Sequence, residues 1–322
     1  MFSATSELVA TQGEPVCKRP MNPVWRRLEL TRTTTLRYWT AGQLVLFGVL
    51  QAMVSLGAEP FLFVQLSDPQ FGMFADNTNF ARETIHFERA VADVNRLRPA
   101  FVVITGDLVN KPGDAQQIAE YRRIAAQIDP SIRVYAVAGN HDVENKPTPA
   151  SVAAYTNRFG PDYYSFRQGD FVGIVLNSTV IQVPDRVISQ RKAQEEWLRA
   201  ELARAQGDGA AHIVIFQHHS WFLKTPDEPD DYFNIPRAER ARYLGWFRES
   251  GVRYLFSGHY HRNALARDGN LEAITTGPVG KPLGKEDSGM RVVLVTPEGL
   301  RHAYYELGKV PGREELLRQL QR

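Results

Sequence analysis

Val134-Tyr135-Ala136-Val137-Ala138-Gly139-Asn140-His141-Asp142 carries the change from strand to polar cluster on which the rest of the chain turns. The β-branched and apolar run 134–137 predicts a buried strand, and Gly139 ends it. Asn140, His141 and Asp142 then arrive at the strand's carboxyl end, where α/β folds place their ligands. A single cluster of this kind also suits a capped turn before a helix. The chain, however, repeats the arrangement four more times.

Upstream, the apolar run 61–67 predicts a strand that ends in Asp68-Pro69-Gln70-Phe71-Gly72. Residues 80–98 follow as an amphipathic helix with Phe87, Val91, Val94 and Leu97 on one stripe. A second strand, 101–105, ends in Gly106-Asp107-Leu108-Val109-Asn110, and a helix over 115–128 leads back to the opening stretch. Strand, helix, strand, helix, strand predicts parallel pairing through right-handed crossovers, hence an α/β fold.

Downstream, a short helix over 152–159, a strand over 171–176 and a helix over 189–205 precede the strand 213–216, which ends in Gln217-His218-His219. A helix over 236–249 and a strand over 254–256 lead to Ser257-Gly258-His259-Tyr260-His261. The acidic stretch 227–231 is expected to be a solvated loop. Runs 291–295 and 300–305 flank a Thr296-Pro297-Glu298-Gly299 turn and predict a hairpin. Residues 59–310 form one expected domain, and 311–322 a C-terminal tail or helix.

Composition narrows the chemistry. With 43% hydrophobic and 23% charged residues among 322, the chain has the balance of an ordinary globular protein. Cys17 stands alone, which excludes an intramolecular disulfide framework and any Cys-rich zinc module. Residues 1–58 hold six Lys/Arg and three acids, so the remainder has 32 basic against 33 acidic residues. A near-neutral body argues against a nucleic-acid partner held by counterion release, and leaves phosphoesters and phosphoproteins open.

Residues 1–58 stand outside the expected domain. Arg26, Arg27, Arg32 and Arg37 precede an uncharged, apolar stretch over 38–58, which closes on Ser55, Gly57 and Ala58. That order predicts an export signal cut near Gly57 or Ala58, with Met1 or Met21 as its start and a periplasmic or secreted product. The alternative is an uncleaved anchor, since a bilayer needs about 20 apolar residues. Membrane contact is then expected through this segment alone.

Five strand ends thus supply Asp68 and Gln70, Asp107, Asn140 and His141, His218, and His259 with His261. Mixed oxygen and imidazole donors suit manganese, iron or zinc better than calcium. His259 and His261 can both point inward from a turn, and Gly258 is expected to supply it.

The blocks Asp68-Pro69-Gln70, Gly106-Asp107, Gly139-Asn140-His141-Asp142, His218 and Gly258-His259-Tyr260-His261 resemble those of the calcineurin-like metallophosphoesterases. The Asp-Pro-Gln-Phe-Gly block, Phe216-Gln217-His218 and Ser257 to Asn263 are similar to the CPPED-type branch in particular. The likeness spans residues 61–307. It implies a four-layer α/β-β/α sandwich of two mixed sheets flanked by helices, with two metals at the carboxyl ends of the strands. It further implies that Asp107 bridges both metals. Asp68, Gln70 and His261 would complete the first, and Asn140, His218 and His259 the second, with magnesium also possible. His218 is favoured over His219 because Ser220-Trp221 follows.

The implied reaction is hydrolysis of a phosphomonoester by in-line attack of metal-activated hydroxide. Asn140 and His141 would meet the substrate, and His141 would protonate the leaving group. Arg262 is a further expected substrate contact. The branch implies phosphoserine or phosphothreonine substrates. The alternatives are a phosphodiesterase, or a phosphate-binding module without turnover.

Two positions depart from the family pattern. Gln70 stands where His is usual, and an amide oxygen is a weaker ligand, so a looser first site is expected. Asn110 stands where phosphoprotein phosphatases carry a carboxylate. It is expected to orient His141 without stabilising its imidazolium, which would move the activity maximum to lower pH.

Overall fold

The computed structural model describes residues 59–321. The expected export or anchor segment and both candidate start residues lie outside them. Within them, no helix is long and apolar enough to cross a membrane.

Chain order explains the layering. Strand β1 (Phe61–Leu66) leads through helix α1 (Ala81–Leu97) to β2 (Phe101–Ile104), and through α2 (Ala115–Ala125) to β3 (Arg133–Ala136). These three strands pair in parallel, as the alternation predicted. The short α3 (Asn140–Val143), α4 (Pro149–Phe159), β4 (Tyr164–Gln168), β5 (Phe171–Val175) and α5 (Thr179–Gln182) come next. Helix α6 (Ile188–Gly207), β6 (His212–Phe216), α7 (Arg237–Glu249) and β7 (Tyr254–Ser257) then repeat the crossover pattern. Two hairpin pairs, β8 (Ala264–Asp268) with β9 (Leu271–Thr275) and β10 (Gly289–Thr296) with β11 (Gly299–Glu306), precede α8 (Arg313–Leu320).

The strands form two mixed sheets, in the orders β11-β10-β1-β2-β3 and β4-β5-β6-β7-β9-β8. The period-2 alternation of β1 shows why the sheets stack. Leu62, Val64 and Leu66 face outward into a core shared with Phe87, Val94 and Leu97 of α1 and Ile124 of α2. Phe63 faces the other way, into an inter-sheet core with Phe101, Phe171, Phe216 and Phe256. A third core joins Ile213, Ile215 and Leu255 to Leu198 and Leu202 of α6 and Phe247 of α7. Helix, sheet, sheet, helix is the resulting order, an α/β-β/α sandwich. Gln65 continues the inward face of β1 near the strand ends, where packing turns polar. Its amide nitrogen donates to Thr105 Oγ1 and to the Ser257 carbonyl, both at 3.0 Å, tying one sheet to the other.

The strand of the opening stretch is not buried as expected. β3 is an edge strand, and Val134 is 38% exposed. Apolar composition marks a strand, but nothing in a single sequence says whether a neighbour will cover it. The acidic loop is largely exposed as expected, at Asp227, Asp230 and Asp231. Glu228 departs from this: it is half-buried, and its carboxylate accepts the backbone amides of Leu223 and Lys224, each at 2.8 Å. The C-terminal segment forms α8, whose Leu316 and Leu320 join the outer core of the first sheet.

Candidate metal centre

The carboxyl ends of β1, β2, β6 and β7, with the start of α3, meet at one edge of the sandwich. Asp68, Gln70, Asp107, Asn140, His218, His259 and His261 are all buried there, none more than 4% exposed. Two groups of donor atoms lie within 4.8 Å of one another: Asp107, His218 and His259, and Asp68, Asp107 and His261. Asp107 belongs to both.

The amide donors fall in the places expected of them. Asn140 Oδ1 lies 2.9 Å from His218 Nε2, which is itself 3.1 Å from His259 Nδ1 and 3.2 Å from an Asp107 carboxylate oxygen. On the other side, His261 Nε2 is 3.3 Å from an Asp68 oxygen. Gln70 Oε1 is buried and has no hydrogen-bond partner. A buried oxygen left without a donor costs about 1–3 kcal/mol, and a cation at the first position would satisfy it. The residues present therefore fit a pair of divalent cations.

Each histidine has its other nitrogen committed to a backbone carbonyl. His218 Nδ1 donates to Thr105 (2.8 Å), His261 Nδ1 to Lys281 (2.6 Å), and His259 Nε2 to Tyr232 (3.0 Å). Such bonds fix ring orientation and leave the inward nitrogen as a lone pair, the state a metal needs. His219 belongs to neither donor group, and its Nδ1 pairs with Ser178 Oγ at 2.9 Å.

Electrostatics couple the group tightly in the absence of cations. Burial opposes the Asp107 charge, but His218 and then His141 outweigh it and hold the carboxyl well below the usual range. Burial would lower His218, yet the Asp107 carboxylate raises it to about 9. Burial, reinforced by His218, pushes His259 down to about 3.

The local backbone is unusual. Asp68, Gln70, Asp107, His259 and His261 all have φ between +37° and +65°. Each such residue costs of order 1–3 kcal/mol unless its surroundings impose it. Here they do: the Gln70 amide donates to the Asp107 carbonyl at 2.8 Å, and the His259 amide reaches the Asp68 carboxylate at 3.2 Å. The histidines make their own turn, so Gly258 is not its source as expected. Gly258 is needed for space, since a Cβ there would strike Ser67 Oγ and Asp68 Oδ2. Gly258→Ala should therefore destabilise the fold by about 1–3 kcal/mol, read by urea unfolding. An unchanged unfolding midpoint would show that the loops part freely.

His141 sits beside the ligands, half-buried at the start of α3. Its backbone amide donates to Asp107 Oδ1 at 2.8 Å, and its Nδ1 lies 2.6 Å from the Asn110 carbonyl oxygen. The expected contact from the Asn110 side chain is not the one made. That amide instead accepts from Gln70 Nε2 (3.2 Å) and donates to Asn77 Oδ1 (2.8 Å). A backbone carbonyl serves His141, so residue type at 110 loses its expected bearing on the activity maximum. Arg262 turns away from the cluster, with Nε on the Leu283 carbonyl (3.0 Å) and its guanidinium over the Tyr260 ring. Tyr232 and Asn145, which flank ligand positions in the sequence and are candidate substrate contacts on that ground, come to Asn140. The only signal was proximity in sequence to the acidic loop and to the Asn140 block.

A family model described as calcineurin-like phosphoesterase matches residues 61–263, most of the described chain. This chain is a calcineurin-like phosphoesterase. Among its relatives, the serine/threonine-protein phosphatase CPPED1 of Rattus norvegicus is 37% identical over 278 residues, covering 81% of this chain and 89% of that protein. Two solved structures share the fold at lower identity. A dimetal phosphatase from Danio rerio has a TM-score of 0.52 at 19% identity, covering 77% of this chain and all of that one. GAP50, described as the anchor in the inner membrane complex of Plasmodium, reaches 0.59 at 13%, with coverage of 79% and 86%. This calcineurin-like phosphoesterase is thus a hydrolytic enzyme of the CPPED type, metal-dependent, with a phosphoester as substrate.

Proposed function

We propose that this phosphoesterase hydrolyses phosphomonoesters at a two-metal centre, with phosphoserine or phosphothreonine side chains as its substrate class. The observation that carries the proposal is the membership of Asp107 in both donor groups. The name of the CPPED1 relatives supports the choice of substrate. Manganese, iron or zinc suits the donors, and magnesium is also compatible. When bound, the two cations would neutralise phosphoryl oxygens and lower the pKa of the attacking water.

The chain's own residues do the rest. Asp107 would serve both positions, with Asp68, Gln70 and His261 holding one cation and Asn140, His218 and His259 the other. The Asn110 carbonyl accepts from His141 Nδ1, which leaves Nε2 to face the site. A proton held at Nε2 can pass to the departing alkoxide, which a serine or threonine leaving group requires.

Release of nitrophenol from 4-nitrophenyl phosphate, compared with bis(4-nitrophenyl) phosphate in the presence of manganese, tests this. Faster turnover of the monoester is the expected result. Preference for the diester would make the protein a phosphodiesterase, and phosphate binding without turnover would make it a binding module.

The first position is expected to be the weaker of the two, because Gln70 offers a neutral oxygen. Gln70→His should tighten metal binding there. Asn110→Ala should weaken it by roughly 10–100-fold, because the Gln70 amide loses its anchor. At saturating manganese Asn110→Ala should recover wild-type kcat, since the carbonyl that serves His141 remains. A kcat deficit that persists would return Asn110's side chain to the catalytic step.

A further inference from the structure

The loop between β6 and α7 is braced from two sides. Glu228 accepts the amides of Leu223 and Lys224, and also the Asn234 side chain at 2.8 Å. Arg240 of α7 is fully buried and donates to three loop carbonyls: Ile235 (3.0 Å), Pro226 (2.8 Å) and Glu228 (3.0 Å). Gln182 of α5 adds a bond to the Tyr232 carbonyl at 2.9 Å. A loop held this firmly delivers its side chains to fixed positions, as a binding site requires.

What it delivers is Tyr232. The ring lies 4.6 Å from the His259 ring, and the hydroxyl oxygen accepts from Asn140 Nδ2 at 3.2 Å. Asn140 turns its Oδ1 toward His218 and its Nδ2 toward Tyr232, so the phenol stands on the outer side of that ligand. Its proton goes to Asn145 Oδ1 at 3.3 Å, a long bond to an oxygen that also takes the Asn140 amide at 2.7 Å. Tyr232 is 50% exposed beside buried ligands, so a phosphoryl oxygen can replace Asn145 as the acceptor of its proton.

We propose that Tyr232 is a specificity-determining residue that selects terminal phosphomonoesters by donating its hydroxyl proton to a phosphoryl oxygen. This rests on the phosphoesterase reading above. A monoester dianion has three terminal oxygens, so once two face the cation positions one remains for the phenol. A diester has only two terminal oxygens and presents an ester oxygen instead, a weaker acceptor. The bond to the monoester is charge-assisted and correspondingly stronger.

Tyr232→Phe removes the hydroxyl and keeps the ring and the carbonyl that holds His259. Its kcat/KM for 4-nitrophenyl phosphate should fall roughly 10–100-fold, and its affinity for inorganic phosphate by a similar factor. Turnover of bis(4-nitrophenyl) phosphate should stay within about twofold, and metal content should be unchanged. Monoester kcat/KM within about twofold of wild type, or an equal fall for both esters, would overturn the proposal. Were the wild-type protein to hydrolyse neither ester, the hydrolase reading would fall by itself. Phosphate binding would still judge Tyr232: weakened binding in Tyr232→Phe upholds the donor, and unchanged binding removes it.

Discussion

Asp107→Asn should deplete both metal positions and lower kcat/KM for a phosphomonoester by roughly a thousandfold or more, since each cation supplies several kcal/mol of charge stabilisation. Asp107 is the one carboxylate whose oxygens reach both donor groups. Asparagine keeps its volume and an oxygen to accept the His141 amide, so the loop retains its shape. It loses the second anionic oxygen and the charge that offsets two cations. Elemental analysis of purified variant and wild type, beside hydrolysis of 4-nitrophenyl phosphate, measures both effects. A variant that kept its metals, or activity within about tenfold, would show that the bridge is not needed.

His141→Ala should leave metal content intact and lower kcat by about 10²–10⁴-fold. The reason lies in the bonds the residue makes. Its amide holds Asp107, which alanine preserves, while its imidazole is anchored on the Asn110 carbonyl and faces the site without belonging to either donor group. The defect should be larger for a phosphoserine peptide than for 4-nitrophenyl phosphate. Nitrophenolate leaves without a proton, whereas the serine alkoxide does not. Equal losses on both substrates would assign His141 to charge stabilisation alone.

The donors were legible because side-chain chemistry recurs at strand ends. Asp107, Asn140, His218 and His259 could be read from their apolar approaches, and the helices from their periodicity. What stayed hidden depended on neighbours far away in sequence. Asn110 was placed beside His141 correctly, but the choice between its carbonyl and its side chain was made by Gln70 and Asn77, 40 and 33 residues away. Gly258 looked like a turn residue, whereas its smallness answers to Ser67 and Asp68, nearly two hundred positions upstream. The left-handed backbone at Asp68, Gln70, Asp107, His259 and His261 carries no glycine to announce it. Contacts between the crossing loops impose it. Tyr232 is reached from Asn140 only across the fold, 92 residues apart, so no local pattern could have joined them. The hairpin of β8 and β9 was missed although Asp268-Gly269-Asn270 offers a turn signal, because both strands are only five residues long and β8 is largely unburied.

The claim beneath all of this is that two cations share the Asp107 carboxylate. Anomalous diffraction from manganese-loaded crystals tests it most directly. The account predicts two peaks roughly 3.5–4 Å apart on either side of Asp107. One should touch Asp68, Gln70 and His261, and the other Asn140, His218 and His259. A single peak away from Asp107, or none at the strand ends, would contradict it.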